Sequence, residues 1–355
     1  MKKTLALLSF AALVIGLSPA SAQTTVRVGW CAKTVSSAAA PFAIATKLGW
    51  FEKMGIKVQL VPLPGSTDCV KTVATKDVDY SLPSIEPLAI IRPQGVKALN
   101  FYTAYQGNIY GIRVPQDSTI KSFADLKGKT VGVTSMASAG VIIARALAKE
   151  NGMNPDTDIK IVVAGEAAQT ATLLRTGQVA ALSQFDTQYA LTENAGAKLR
   201  SLEEANKAIK TFPSNGFVAL EDTLKTKRDQ AVALGKGYAM GTVFAMANPE
   251  AAIRILWEVF PQTKSTGKDE ATALKDDLST LKARAENWPP SAGGVKKWGE
   301  NSIDNYNRYV DFLVANGVLK TKVDAKELVT NDLIDDINKF DVADIQTQAK
   351  AYKAK

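Results

Sequence analysis

The 355-residue chain contains no histidine. That absence removes Ser-His-Asp and Cys-His nucleophilic mechanisms, histidine-ligated metal centres and the commonest general base near neutral pH. Cysteine is scarce as well: Cys31 and Cys69 are the whole complement, too few for a disulfide-dense scaffold or a multi-cysteine metal cluster. No G-x-G-x-x-G follows a strand, and no G-x-S-x-G nucleophile turn occurs. Gly128-Lys129-Thr130 ends like a phosphate-binding loop, but Phe123 stands where the first glycine belongs and the segment enters a strand instead of leaving one. Catalysis, a metal and a cofactor are therefore not expected.

With 46% hydrophobic and 22% charged residues, the composition is that of a globular chain long enough for about two domains. Lys and Arg number 43 against 35 acidic residues. The basic residues are scattered, however, and the denser groups at Lys225 to Arg228 and Lys350 to Lys355 carry no interleaved aromatic platform, so a solvated surface is expected and nucleic acid is not. At the N-terminus Lys2 and Lys3 precede an apolar run from Leu5 to Leu17, followed by Ser18-Pro19-Ala20-Ser21-Ala22. This is the pattern of a secretory signal cleaved after Ala22. The run is shorter than the roughly 20 residues of a membrane span, and no cysteine follows the cleavage point for lipid anchoring. A soluble, exported, monomeric protein without a membrane anchor is expected.

From Thr25 onward, short β-branched runs alternate with helical patterns, the signature of α/β units with parallel strands. Strands are predicted at Val26 to Trp30, Lys57 to Val61, Val78 to Leu82 and Ala98 to Ala104, and again at Thr130 to Val133, Ile159 to Val163 and Val179 to Ser183, with a helix from Ser138 to Asn151. Phe217 to Leu220 returns the chain to the first set, after which the pattern is helical. The expected organisation is a signal at 1–22, a discontinuous first lobe at 23–112 and 216–355, and a second lobe at 113–215. Two crossings, near Ile112 and Asn215, make a hinge.

Open α/β sheets bind ligands beyond the carboxyl ends of their strands, so two facing lobes enclose a cleft lined by the strand-exit loops. These loops are Trp30 to Ala40, Gly65 to Asp68 and Ser84 to Glu86 in the first lobe, with Tyr105 near the crossing, and Thr134 to Ala139, Gly165-Glu166 and Phe185 to Tyr189 in the second. Thr134, Ser135, Ser138 and Ala139 combine hydroxyls with little bulk at a helix start, where free N–H groups favour an acceptor; Ser138 also serves as a cap. Ser66 offers a similar arrangement opposite. Glu86 and Asp186 stand at equivalent exits and can accept from an amine or ring N–H. Trp30, Tyr105 and Tyr189 supply candidate apolar walls, Ser84 and Asn215 further polar contacts. No arginine stands in these loops to clamp an anion. Cys31 and Cys69 follow neighbouring strands, and in an exported chain a disulfide between them is expected.

Leu48-Gly49-Trp50-Phe51-Glu52-Lys53-Met54-Gly55-Ile56 resembles a segment of the periplasmic solute-binding proteins for nitrate, sulfonates, taurine and thiamine-precursor pyrimidines. The resemblance extends through Ser84-Ile85-Glu86-Pro87, Asn108-Ile109-Tyr110-Gly111, Ser122 to Lys129, Val131 to Ser135, Gln178 to Asp186 and Val329-Thr330-Asn331-Asp332. It implies a two-lobed type II periplasmic-binding-protein fold that captures a small solute and presents it to an ABC-transporter permease in the inner membrane. Hydroxyls at the helix start favour an acceptor-bearing ligand and the two carboxylates a donor, so a zwitterion such as taurine or a polar heterocycle fits better than nitrate, and a small polar, sulfonate- or taurine-like solute is expected. A pyrimidine, an aromatic acid, a receptor-sensing role and a pyrimidine-transforming enzyme are the alternatives.

Overall fold

The computed structural model describes residues 23–353, so the expected signal at 1–22 lies outside the described residues. Two five-stranded sheets organise the chain. The first has the order β2-β1-β3-β10-β4, with β1 at Thr24–Trp30, β2 at Ile56–Pro62, β3 at Tyr80–Ser81, β4 at Ala98–Thr103 and β10 at Gly216–Leu220. The second is β7-β6-β8-β5-β9, from β5 at Tyr110–Pro115, β6 at Lys129–Val133, β7 at Ile159–Val163, β8 at Ala181–Phe185 and β9 at Leu199–Ser201. In both, the central strands run parallel, with Val26 opposite Val58 and Val131 opposite Ile161. Helices cover the faces, as crossover connections require.

Each sheet contains a strand that arrives from the other side of the hinge. β5 runs antiparallel to β8, and β10 runs antiparallel between β3 and β4. The stretch from Asn108 to Val114 thus becomes the second sheet's own strand from Tyr110 onward, placing the first crossing just before the boundary expected at Ile112. β9 carries no sequence signal at three residues, and the strand expected at Val78 to Leu82 shrinks to the two residues of β3.

The core of the first lobe is aromatic. The rings of Phe42 and Phe217 pack on Tyr238 with centroids 4.9 and 5.1 Å away, and Tyr102 lies 5.5 Å from Phe217. Such edge-on pairs add to the burial of the rings themselves. The expectation that everything after β10 packs on the first lobe needs one correction. Helix Glu270–Ala285 holds the first lobe through Asp277, which accepts from Ser37 Oγ at 3.0 Å and Trp257 Nε1 at 2.8 Å. It also holds helix Asp186–Asn194 of the second lobe, where Asn194 Nδ2 donates to the Asp276 carbonyl at 2.9 Å and Ser279 Oγ to Asn194 Oδ1 at 3.1 Å. This helix is a third strap across the hinge.

Cys31 and Cys69 form the expected disulfide, with Cα atoms 5.8 Å apart. It ties the loop after β1 to helix Ser66–Ala74, both on the cleft side of the first sheet. Closing a loop of this length is worth about 4 kcal/mol in the chain-entropy treatment. Cys31→Ser with Cys69→Ser is expected to lower the thermal midpoint by roughly 5–10 °C, as read by calorimetry against the oxidised protein, with reductant shifting the native protein to the same value.

Candidate functional site

At the carboxyl ends of β1, β4 and β8 the lobes enclose a cavity of about 30 Å³. Its aromatic walls include Trp30, Tyr105 and Phe185, and its polar groups include Gln188, Asn215 and Arg284. Trp30 ends β1 and is fixed by donation from its indole Nε1 to the Thr34 carbonyl at 2.9 Å. Asn215, at the second crossing, donates to the Leu82 carbonyl at 2.8 Å, while its own carbonyl accepts from the N–H of Tyr105 at 3.0 Å. The hinge backbone therefore positions two of the walls. Gln188 is buried and its Oε1 has no hydrogen-bond partner among the described residues. A buried acceptor left unpaired costs stability, so a donor arriving in the cavity would be favoured there.

Arg284 is the residue that sequence reasoning missed. It comes from the strap helix, where Lys282-Ala283-Arg284 reads as an ordinary solvated turn, yet it is 3% exposed. Its Nε lies 2.9 and 3.1 Å from the two Asp186 oxygens and its Nη2 2.6 Å from Oδ1. The guanidinium lies flat against Tyr105, with Cζ 3.8 Å from the ring centroid. Burial alone would make it release its proton more easily, but Asp186 and Tyr105 more than offset that and hold it above its ordinary range. Nη1 takes no part in the bonds to Asp186, and the residue lines the cavity.

This arrangement corrects the role expected for Asp186. Its oxygens already accept from Arg284, from Asn287 Nδ2 at 3.2 Å and from the N–H of Thr187 at 2.6 Å. With its lone pairs engaged, it orients an arginine instead of receiving a ligand amine. Tyr189 is likewise displaced from the cleft. Its hydroxyl donates to the Gly111 carbonyl and accepts from the N–H of Gln184 at 2.7 Å, and its ring carries the Arg113 guanidinium 4.6 Å from the centroid. It braces β5 against helix Asp186–Asn194.

Glu86 lies behind the cavity in a fully buried cluster with Ser66, Ser84 and Tyr309. Tyr309 donates to Oε1; Oε2 and the Ser84 hydroxyl have no partner among the described residues. Ser66 Oγ accepts from the N–H of Ser84 at 3.1 Å and does not cap its own helix. Burial pushes the Glu86 carboxyl up, and its hydrogen bonds counter this only in part. The hydroxyl-rich turn of the second lobe divides between closure and helix capping. Ser135 Oγ donates to the Pro64 carbonyl across the cleft at 2.7 Å, Ser138 caps its helix through the N–H of Gly140 at 3.2 Å, and Thr134 and Ala139 are buried beside them. None of these four lines the cavity.

Residues 36–252 match the family model described as NMT1/THI5 like, a range that takes in the whole second sheet, every strand of the first except β1, and both crossings. The chain belongs to this family. Among curated relatives, the NMT1/THI5-like chain is 20% identical over 298 residues to the riboflavin-binding protein RibY of Chloroflexus aurantiacus, covering 83% of this chain and 82% of that protein. Solved neighbours include the alkanesulfonate-binding protein SsuA of Xanthomonas axonopodis pv. citri bound to MOPS, with a TM-score of 0.63, 18% identity and coverage of 86% and 98% of the two chains. The periplasmic nitrate-binding protein NrtA of Synechocystis PCC 6803 gives a TM-score of 0.59 at 16% identity, covering 93% and 99%. The expected periplasmic-binding-protein fold is thereby established for this NMT1/THI5-like chain.

Two expectations test this geometry. A Cβ added to Gly65 would stand 2.5 Å from the Ala137 carbonyl oxygen of the opposite lobe. Gly65→Ala is therefore expected to hold the lobes apart, increasing the radius of gyration in small-angle scattering without lowering the unfolding midpoint of either lobe. For Glu86, a carboxyl whose folded-state pKa is raised binds its proton more tightly folded than unfolded, so stability falls as pH rises above the unfolded value of about 4.3. Glu86→Gln is expected to remove that part of the pH dependence. In urea titrations the variant gains on the native protein between pH 4 and 7, and parallel curves would refute the assignment.

Proposed function

We propose that this chain is the extracytoplasmic solute-binding component of an ABC importer, capturing a small organic anion of the sulfonate class between its lobes and delivering it to the permease. The observation that carries the reading is Arg284: a buried guanidinium, charge-balanced and stacked, on a residue that lines the cavity between the lobes. A charged donor held in low dielectric recognises an anionic oxygen strongly because it has no water to lose at the moment of binding. In this reading Arg284 receives the anionic head, Gln188 and Asn215 take its remaining polar atoms, and Trp30 and Tyr105 flank the carbon skeleton. Ser66, Ser84 and Glu86 form a second tier behind Tyr110, reached by a solute that extends past it. A volume of about 30 Å³ is water-sized, so the lobes must part further to seat an organic solute. Family membership and the export pattern at the N-terminus support the periplasmic location and the permease as partner.

Removing Arg284 alone would leave Asp186 charged, buried and unpaired, which costs about 3–5 kcal/mol and confounds binding with folding. The test therefore uses Arg284→Met together with Asp186→Asn. Calorimetric titration of refolded, ligand-stripped protein with ethanesulfonate, taurine, nitrate and benzoate is expected to show selective binding of a sulfonate. The double variant is expected to lose about 100-fold in affinity, the worth of a charged hydrogen bond of roughly 2–3 kcal/mol, while keeping a cooperative unfolding transition. Selective sulfonate binding that survives the double variant unchanged would remove Arg284 from the site; nitrate or benzoate binding in its place would change the solute class.

A further inference from the structure

Glu166 follows β7 at the mouth of the cleft, in the N-cap position of helix Ala167–Arg175, with the extended backbone that capping residues adopt. It does not cap. Its carboxylate crosses to the first lobe instead, where Thr34 Oγ1 donates to Oε2 at 2.5 Å. The turn presenting it is unusual on both sides. Gly165 has φ +74°, and Ala167 has φ +47°, one of two non-glycine residues with positive φ among the described residues. Alanine is disfavoured there because its Cβ crowds the neighbouring carbonyl. Such a conformation persists only where surrounding structure imposes it. Here the Gly165 carbonyl accepts from Thr170 Oγ1 at 3.0 Å and from Gln184 Nε2 at 3.2 Å, and the Ala164 carbonyl accepts from Thr170 Oγ1 at 3.2 Å.

Both ends of the bridge are wired to the cavity. On the first lobe, the Thr34 carbonyl holds the indole of Trp30, a cavity wall. On the second, Gln184 grips the Glu166 turn and precedes Phe185, another wall. A side chain that forgoes its own helix, on a turn held against its backbone preference, to meet a hydroxyl on the other lobe is placed for one task. We propose that Glu166 is a positioning residue that latches the lobes shut through Thr34, setting how long a solute stays enclosed and leaving which solute is chosen to the cavity. The backbone strain keeps the carboxylate aimed across the cleft in advance, so closure does not have to order it.

The latch can be tested without a solute, which separates it from the function proposed above; only the dissociation measurement rests on that reading. Spin labels on Lys53→Cys and Lys149→Cys, exposed positions on opposite lobes, report the interlobe distance in the oxidised full chain. Glu166→Ala and Thr34→Val are each expected to shift the distribution toward longer distances. The two together are expected to shift it no further than either alone, since both remove one bond. Glu166→Gln, which keeps an acceptor, is expected to restore most of the closed population. With ethanesulfonate as the probe, tryptophan-fluorescence stopped flow is expected to show dissociation about 3- to 10-fold faster in Glu166→Ala, with association changed less than 2-fold. Distributions that are the same in all variants, open or closed, overturn the latch whether or not ethanesulfonate binds. Ethanesulfonate that fails to bind while the distances shift as stated overturns the sulfonate reading and upholds the latch.

Discussion

The pairing of Arg284 with Asp186 is the constraint around which the rest of the molecule is arranged. A guanidinium cannot be taken out of water without a counter-charge and a full set of acceptors, and Asp186 supplies these from the first turn of a second-lobe helix. To bring the arginine there, helix Glu270–Ala285 must lie across the hinge, and to keep it there Asp277 must be anchored on the first lobe. Asn287 adds a further bond to Asp186 while its carbonyl holds the N–H of Gln106 beside the first crossing, at 2.7 Å. Hinge, strap and cavity thus share one electrostatic centre.

Much of the frame was legible in the sequence because it rests on local signals. Period-two runs such as Thr25 to Trp30 and the glycine-bounded helix ending before Gly152 write their own boundaries. The disulfide followed from two cysteines at the same edge of one sheet in a chain whose N-terminal pattern predicts export. The site was legible only in part. Trp30, expected from a strand-exit loop, and Tyr105 and Asn215, expected near the two crossings, all line the cavity. Arg284 was not expected, since a basic residue on a charged helix looks the same whether it faces solvent or a carboxylate 98 positions away. For the same reason Asp186 was identified as a site residue but given the wrong partner: composition shows a carboxylate, while only tertiary packing shows what already occupies it. Ser135 was read as a ligand contact, whereas its hydroxyl bonds the opposite lobe, and Ser138 takes the helix-capping role that the sequence also suggested.

Away from the strap helix, the Phe212–Tyr309 ring stack and the bond from Asn316 Nδ2 to Glu150, the strand-exit loops of the two lobes meet across the cleft through single hydrogen bonds. Ser135 to Pro64, the N–H of Thr67 to the Ala137 carbonyl and Thr34 to Glu166 are hydrogen bonds, each worth about 0.5–3 kcal/mol net depending on charge. Such a sum is comparable with the binding energy of one small solute at micromolar affinity, about 8 kcal/mol. Loop contacts of this strength at the cleft mouth can respond to occupancy, whereas a large apolar seam there would remain shut regardless. Gly65 shows how tightly the balance is set, because the lobes meet there at a distance that admits no side chain.

The exchange of strands between the sheets also fixes an order of assembly. β10 sits between β3 and β4, so β4 has no neighbour in its sheet until residues 216–220 are available, whereas the second sheet is complete with residues 110–201. A chain emerging N-terminus first therefore presents a second lobe able to close before the first one can. The earlier-synthesised half must wait, with two of its edges unpaired, for a strand encoded more than a hundred residues downstream of β4. Until that strand arrives, the leading half presents open strand edges that a neighbouring chain could pair with.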